Sequence, residues 1–181
     1  MQRAALLVGI SVFTICGVAA FIYLGSQPGP VEIVSMAVDG PQIALGLKGG
    51  SVVEVALQNG AFHENRRIAH CSGDWINAVH YTSAHELVCS GEKLRIVNRV
   101  GRQREVALPK SETGGAFGSV TEFQGSLVVI AASENILWID ASGRIQKQIG
   151  PHTALYGDVR ASGDGAYLAS SGHTPQVWNA D

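Results

Sequence analysis

The sequence predicts an all-β repeat fold of about four four-stranded units, the last one incomplete, behind one N-terminal transmembrane helix. Three observations lead to this class. From Val31 onward no window keeps a helical period of apolar residues, whereas short runs of β-forming residues bounded by turn residues recur throughout. The 22 glycines are spread along the chain, as many tight turns require. Landmarks within these runs also repeat at a spacing of about 41 residues.

The composition excludes two broad classes of protein. The chain is 46% hydrophobic and only 15% charged, which is incompatible with intrinsic disorder, and 181 residues can form one domain with a buried core. The formal net charge is −2, and no block of Lys or Arg is interleaved with aromatic residues. We therefore expect no nucleic-acid partner.

The apolar N-terminal segment predicts a transmembrane helix within residues 1–24, a linker at 25–30 and the repeat domain at 31–181. Residues 4–24 carry no charge, and as a helix they would measure about 32 Å, enough to cross a hydrocarbon core of about 30 Å. A cleaved signal peptide is the alternative, because Arg3 precedes the run and small residues follow at 18–20. The residues expected in the membrane are Leu6, Leu7, Val8, Ile10, Phe13, Ile15, Phe21, Ile22, Tyr23 and Leu24.

Flanking charge predicts the orientation of this helix. Arg3 precedes it, and the next Lys or Arg in the chain is Lys48. Positive charge favours the cytoplasmic side, so the amino terminus is expected in the cytoplasm and the repeat domain in the periplasm or an equivalent compartment.

Two series of apolar anchor residues define the repeat. In the second strands Leu45, Leu87, Leu127 and Leu168 lie 42, 40 and 41 residues apart, and in the third strands Val55, Val97, Trp138 and Trp178 lie 42, 41 and 40 apart. Four-stranded units of about 40 residues are typical of β-propeller blades. The blades are predicted at 31–71, 72–113, 114–151 and 152–181, with strands at 32–38, 42–48, 51–57, 65–70, 75–82, 86–90, 94–99, 103–108, 119–123, 127–132, 135–140, 145–149, 156–161, 166–171 and 175–179.

Two stretches carry a family resemblance. DGAYLAS at 164–170, with VWNA at 177–180, resembles a WD-repeat blade, and NILWIDASGRI at 135–145 is similar to blades of YVTN and quinoprotein-like propellers. The Gly-His pair that precedes the first strand of WD blades is absent, so the resemblance implies a divergent propeller. It implies blade architecture and no particular activity.

An incomplete ring predicts a protein partner. An open array of blades leaves strand edges and blade faces uncovered, so we expect other subunits or self-association to cover them. The expected function is that of a scaffold or accessory subunit in a membrane complex, with no cofactor. The alternatives are a fragment of a quinoprotein-like or hydrolytic propeller enzyme and a ligand-sensing ectodomain.

Few residues are candidates for a site. Asp74 and Trp75 stand at a blade entrance, where an aromatic residue offers a large contact area, although Trp75 packed between blades is the alternative. Trp178 and Asn179 lie on the last strand and are further interaction candidates. No catalytic set is recognised, and His152 and His173, which could meet on one rim, are the weak metal candidates among six histidines. The glycine-rich 114–118 segment is expected to connect two blades.

The remaining expectations concern cysteines and arginines. Cys71 and Cys89 are the only cysteines outside the apolar segment, and two unpaired thiols are favoured over a bridge because the expected strand register does not make them neighbours. Arg66, Arg67, Arg102 and Arg104 are expected to keep outer strands soluble.

Overall fold

Four antiparallel sheets follow one another along the chain in the computed structural model, which describes residues 21–22, 31–106, 117–131, 135–150, 157–171 and 175–179. Within each sheet the strands lie in sequence order and each pairs with the next, as in a meander. The strands of sheet 1 are β1 (Phe21–Ile22), β2 (Val31–Asp39), β3 (Gln42–Leu47), β4 (Val52–Gln58) and β5 (Ala61–Ile68). Those of sheet 2 are β6 (Ile76–Tyr81), β7 (Leu87–Gly91), β8 (Leu94–Val97) and β9 (Gln103–Glu105).

The other two sheets repeat this pattern. Sheet 3 contains β10 (Phe117–Phe123), β11 (Ser126–Ala131), β12 (Ile136–Ile139) and β13 (Ile145–Ile149). Sheet 4 contains β14 (Val159–Ala161), β15 (Tyr167–Ser170) and β16 (Gln176–Asn179). The first strands of successive sheets, β2, β6, β10 and β14, contact one another, which is the arrangement of blades around a propeller axis.

Each pair of neighbouring sheets encloses its own apolar core. Ala44 and Val52 of sheet 1 pack on Leu87 and Val97 of sheet 2. The other two cores are built in the same way. The buried members of the core between sheets 2 and 3 are Val88, Leu94, Ile96, Val106, Phe117, Val120, Leu127, Val129, Ala131, Leu137 and Ile139. Those of the core between sheets 3 and 4 are Phe123, Val128, Ile130, Ile136, Val159 and Leu168. Because strand side chains alternate between two faces, each inner blade shares a core with both neighbours.

The predicted strands of the repeat region agree with the observed ones, mostly to within one or two residues. The largest shift is in β5, which begins at Ala61 rather than residue 65, directly after the Asn59-Gly60 turn. Two of the four predicted anchor pairs lie opposite each other, Leu87 with Val97 and Leu168 with Trp178. Leu45 instead pairs with Val53, and Leu127 pairs with Ile139.

At the two positions of the predicted transmembrane helix that can be compared, the structure has a strand. Phe21 and Ile22 form a strand antiparallel to the start of β2, with Phe21 opposite Glu32 and Ile22 opposite Val31. A strand here extends sheet 1, whereas the apolar run alone favours a helix. The rest of the segment, including Leu6 to Ile15, Tyr23 and Leu24, lies outside the described residues. Among the residues that are described, no helix is long and apolar enough to cross a membrane.

A disulfide joins Cys71 and Cys89, which corrects the expectation of two unpaired thiols. Their Cα atoms are 5.9 Å apart, and both side chains are buried in the core between sheets 1 and 2. The amide of Cys71 donates a hydrogen bond of 2.7 Å to the carbonyl of Gly50. This bond folds the loop between β5 and β6 back onto the turn between β3 and β4, and that loop path, which no strand pattern reveals, brings the cysteines together.

Replacing Gly50 by alanine is expected to cost about 2–5 kcal/mol of unfolding free energy. Gly50 has a φ of 79°, and a Cβ atom there would overlap the carbonyl oxygen of Gly73. Positive φ costs an L-residue about 1–2 kcal/mol, and the overlap adds about 1–3 kcal/mol. Gly125→Ala is the matched control, because Gly125 has a φ of 73° and open space around it. Urea unfolding of both variants checks the difference, and equal losses would contradict it.

Candidate functional site

The turns between strands lie on two opposite faces of the array. One face carries the turns that join the first to the second and the third to the fourth strand of each sheet, and we call it the turn face. The other carries the remaining connections, including the 69–75 loop between β5 and β6. Two of the predicted interaction residues, Asp74 and Trp75, are in that loop.

Trp75 is 46% exposed, so the alternative that it is packed away between blades is not what the structure shows. Its backbone is held in place, because the Ser72 hydroxyl donates a 2.5 Å hydrogen bond to the Trp75 carbonyl. The Asp74 amide donates to the Glu92 carboxylate at 3.1 Å, and the Asp74 carboxylate lies 3.6 Å from the ring of His70. The loop therefore presents an indole and a carboxylate on a fixed backbone, and their role in binding stays a prediction.

Trp178 and Asn179 lie in β16, and their surroundings differ. The ring of Trp178 faces sheet 3 and meets Trp138 edge to face, with centroids 6.2 Å apart and planes at 86°. Lys147 stands over the Trp138 ring, its Nζ 5.1 Å from the centroid. Asn179 is exposed beside Tyr167. Much of Trp178 therefore serves the contact between sheets 3 and 4, while Asn179 lies on the outer face.

The metal prediction cannot be compared directly, because His152 and His173 lie outside the described residues. No group of three or more candidate ligands occurs within the described ranges. His80 lies in β6, and burial lowers its pKa because a charged ring is poorly solvated there. No protein group among the described residues bonds its Nε2 atom.

A polar cleft between sheets 1 and 2 is a feature that the sequence analysis missed. It has a volume of about 530 Å³ and opens near the turn face. We call it the Glu54 cleft, and its lining residues are Asp39, Gly40, Pro41, Gln42, Glu54, Asn65, Arg66, Tyr81, His85 and Arg99.

Glu54 is the centre of this cleft. It lies in β4 and is only 4% exposed, yet both carboxylate oxygens are bonded. The Arg66 Nε donates to one oxygen, and the Tyr81 hydroxyl donates to the other at 2.6 Å. Arg66 also donates to the Asn98 carbonyl at 3.1 Å. Burial, and then the bond to Glu54, raises the pKa of Tyr81 above its ordinary value, so this hydroxyl stays protonated and donating.

A contact between a histidine and a carboxylate also lies among the residues that line the Glu54 cleft. His85 Nδ1 is 2.5 Å from the carboxylate of Asp39, across the boundary between sheets 1 and 2. His85 lies in the turn between β6 and β7 and has a φ of 58°. The contact between His85 and Asp39 therefore joins sheets 1 and 2 beside the cleft.

Three of the four arginines that were expected to keep outer strands soluble lie close to carboxylates. Arg66 binds Glu54, Arg67 binds Glu64 at 3.1 Å, and Arg104 lies 3.6 Å from Glu86. The signal for the first of these contacts is visible in the sequence. Glu54, Ile96 and Trp138 lie 42 residues apart, so an acidic residue replaces an apolar one at one position of the repeat.

The fold defined by these sheets is that of a β-propeller, and solved structures agree. The chain is similar to the Cps50 (Swd1) β-propeller domain of Myceliophteria thermophila, with a TM-score of 0.70 and 14% identity over 86% of this chain and 54% of that one. It is also similar to the extracellular domain of a putative hybrid two-component system from B. thetaiotaomicron, with a TM-score of 0.64 and 17% identity over 90% of this chain and 23% of that one.

These similarities concern the fold. The chain spans about half the length of the first structure and about a quarter of the second. No protein-family model matches the sequence, and no curated protein matches it. The array is thus three full blades and one three-stranded blade of propeller type in the described part of the chain.

Proposed function

We propose that this protein is a membrane-anchored, extracytoplasmic propeller that serves as a scaffold or accessory subunit and binds a protein partner through the outer face of sheet 4. The half-covered fourth sheet carries the proposal. One face of this sheet packs on sheet 3 through Val159 and Leu168. The opposite face presents Tyr167, which is 50% exposed, and Val177, which is 66% exposed.

The edge of β16 supports the same partner surface. In the described residues β16 pairs with β15 and no strand lies along its other edge. An edge strand beside an exposed apolar face favours a protein partner, because such a partner can extend the sheet and bury the apolar face.

The disulfide supports an extracytoplasmic location. Stable disulfides form in oxidising compartments and are rare in the cytosol of most organisms. The Cys71–Cys89 bridge is buried in a core, as expected of a structural bridge. The charge pattern around the apolar segment favours the same side of the membrane.

Val177→Lys is expected to release the partner without unfolding the domain. A lysine at this exposed site costs the free domain little, but its charge would be buried in the complex, so association should weaken at least tenfold. The full chain is extracted from its native membrane in mild detergent, and the mass of the assembly is measured. We expect a mass above that of the 19.0 kDa chain for the natural sequence and loss of the added mass for the variant.

Val100→Lys is the matched control, because Val100 is 79% exposed in the turn after β8 and far along the chain from sheet 4. It should leave the assembly unchanged. A natural chain that is already monomeric in the extract, or equal effects of the two lysines, would contradict the proposal.

A further inference from the structure

The propeller repeat offers an internal comparison for the Glu54 cleft. Glu54, Ile96 and Trp138 occupy the same place in sheets 1, 2 and 3, on the third strand and on the face toward the next sheet. Each lies opposite a basic residue of the fourth strand, namely Arg66, Arg104 and Lys147 respectively. The three sites therefore differ mainly in the residue of the third strand.

Stacking of blades does not require a charge at this place. In sheet 2, Ile96 is buried against sheet 3, and the neighbouring cleft, of about 200 Å³, is partly lined by Leu127 and Ile139. In sheet 3, Trp138 packs on Trp178. A buried carboxylate is costly to desolvate and is rarely better for stability than an apolar residue of similar size. At the place where sheet 1 has Glu54, sheets 2 and 3 of the same chain thus have an apolar residue.

The contacts of Arg66 hold its guanidinium in one position at the cleft. Arg66 is clamped by Glu54 through Nε and by the Asn98 carbonyl through one terminal nitrogen, so its guanidinium is fixed before any ligand arrives. Within the described residues its other terminal nitrogen has no hydrogen-bond acceptor, and neither has the guanidinium of Arg99. A fixed guanidinium with open donors matches the geometry of a carboxylate.

Arg99 adds a second cation to the lining of the cleft. Glu54 is paired with Arg66, and Asp39 is paired with His85. Arg99 then remains as an unpaired positive charge among the described lining residues. Pro41 and the ring of Tyr81 add apolar surface beside these donors. The volume of about 530 Å³ is within the range of small-molecule sites.

We propose that the Glu54 cleft binds a ligand through a carboxylate group, which Arg66 and Arg99 hold while Glu54 and Tyr81 position Arg66. The carboxylate belongs either to a small free acid or to a peptide chain. This inference is independent of the partner surface on sheet 4.

The test is calorimetric titration of the full chain in neutral detergent at constant ionic strength. Succinate represents a free acid, and an acetylated tetrapeptide ending in glutamate represents a peptide. We expect saturable binding of at least one probe. Arg99→Met should weaken it about tenfold, because one charge-assisted hydrogen bond is lost. Succinate binding at least as tight as peptide binding would assign a free acid, and tighter peptide binding would assign a peptide.

Arg102→Met is the matched control, since Arg102 is exposed in the same turn and does not line the cleft. It changes the net charge by the same amount and should leave the affinity within twofold of the natural chain. Absence of saturable binding for both probes would overturn the proposal. Equal weakening by the two arginine variants would also overturn it, because diffuse attraction rather than a site would then explain the binding.

Discussion

Removal of the Cys71–Cys89 disulfide is expected to lower the free energy of unfolding by about 3 kcal/mol. The bridge closes a loop across a sequence separation of 18 residues, and a loop of that length restricts the unfolded chain by about this amount. Both sulfurs are buried in the core between sheets 1 and 2, so the loss should loosen that boundary first. Urea unfolding with and without a thiol reductant measures the change in midpoint.

Two cysteine variants separate the bridge from the packing of the sulfurs. Cys71→Ala/Cys89→Ala should match the reduced protein to within about 1 kcal/mol, because small apolar side chains replace the sulfurs. Cys71→Ser should be worse, because it buries a hydroxyl in an apolar core. A reductant that leaves the unfolding midpoint unchanged would show that the bridge is not formed in solution.

Glu54→Ala is expected to destabilise the domain by about 3 kcal/mol or more. Removing one partner of a buried ion pair leaves the other charge without compensation, and here the Tyr81 hydroxyl also loses its acceptor. The change should also lower the pKa of Tyr81, because the bond to Glu54 raises it in the natural protein. Urea unfolding gives the stability, and ultraviolet titration of the tyrosines gives the pKa.

Replacing Glu54, Arg66 and Tyr81 together should restore the stability that Glu54→Ala removes. Glu54→Ile combined with Arg66→Met and Tyr81→Phe reproduces the apolar character found around Ile96, and we expect a stability within about 1 kcal/mol of the natural chain. This variant should still lose the proposed carboxylate binding. A triple variant as unstable as Glu54→Ala would show instead that the polar set is needed for blade packing.

Local patterns were sufficient for the strands of the repeat region. Strand propensity and turn residues are properties of neighbouring residues, and repetition at about 41 residues lets weak signals in one blade be checked against the next. For this reason β13 was predicted at its observed bounds, Ile145–Ile149. The same patterns failed at Phe21–Ile22, where pairing with β2 competes with the helical preference of an apolar run.

The Glu54 cleft shows why the site was harder to predict than the strands. Its residues come from the five strands β2 to β6 and from three turns, β2–β3, β6–β7 and β8–β9, so they are far apart in the chain. Arg66 had a plausible role as a solubilising residue of an outer strand, and only the position of Glu54 opposite it reveals the ion pair. Comparison of Glu54 with Ile96 and Trp138 shows that one repeat has an acidic residue where the others have an apolar one. It does not show which side chains contact Glu54.

The sequence by itself determined the class of fold, the four-blade repeat and most strand positions, because these depend on alternation and turn chemistry within about 40 residues. Tertiary structure alone decided that Cys71 reaches Cys89, that Trp178 packs on Trp138, and that Glu54 meets Arg66 and Tyr81. The physical reason is that these contacts form where one sheet stacks on the next or where a loop folds back. Side chains there meet through the arrangement of blades in space, which no local pattern records.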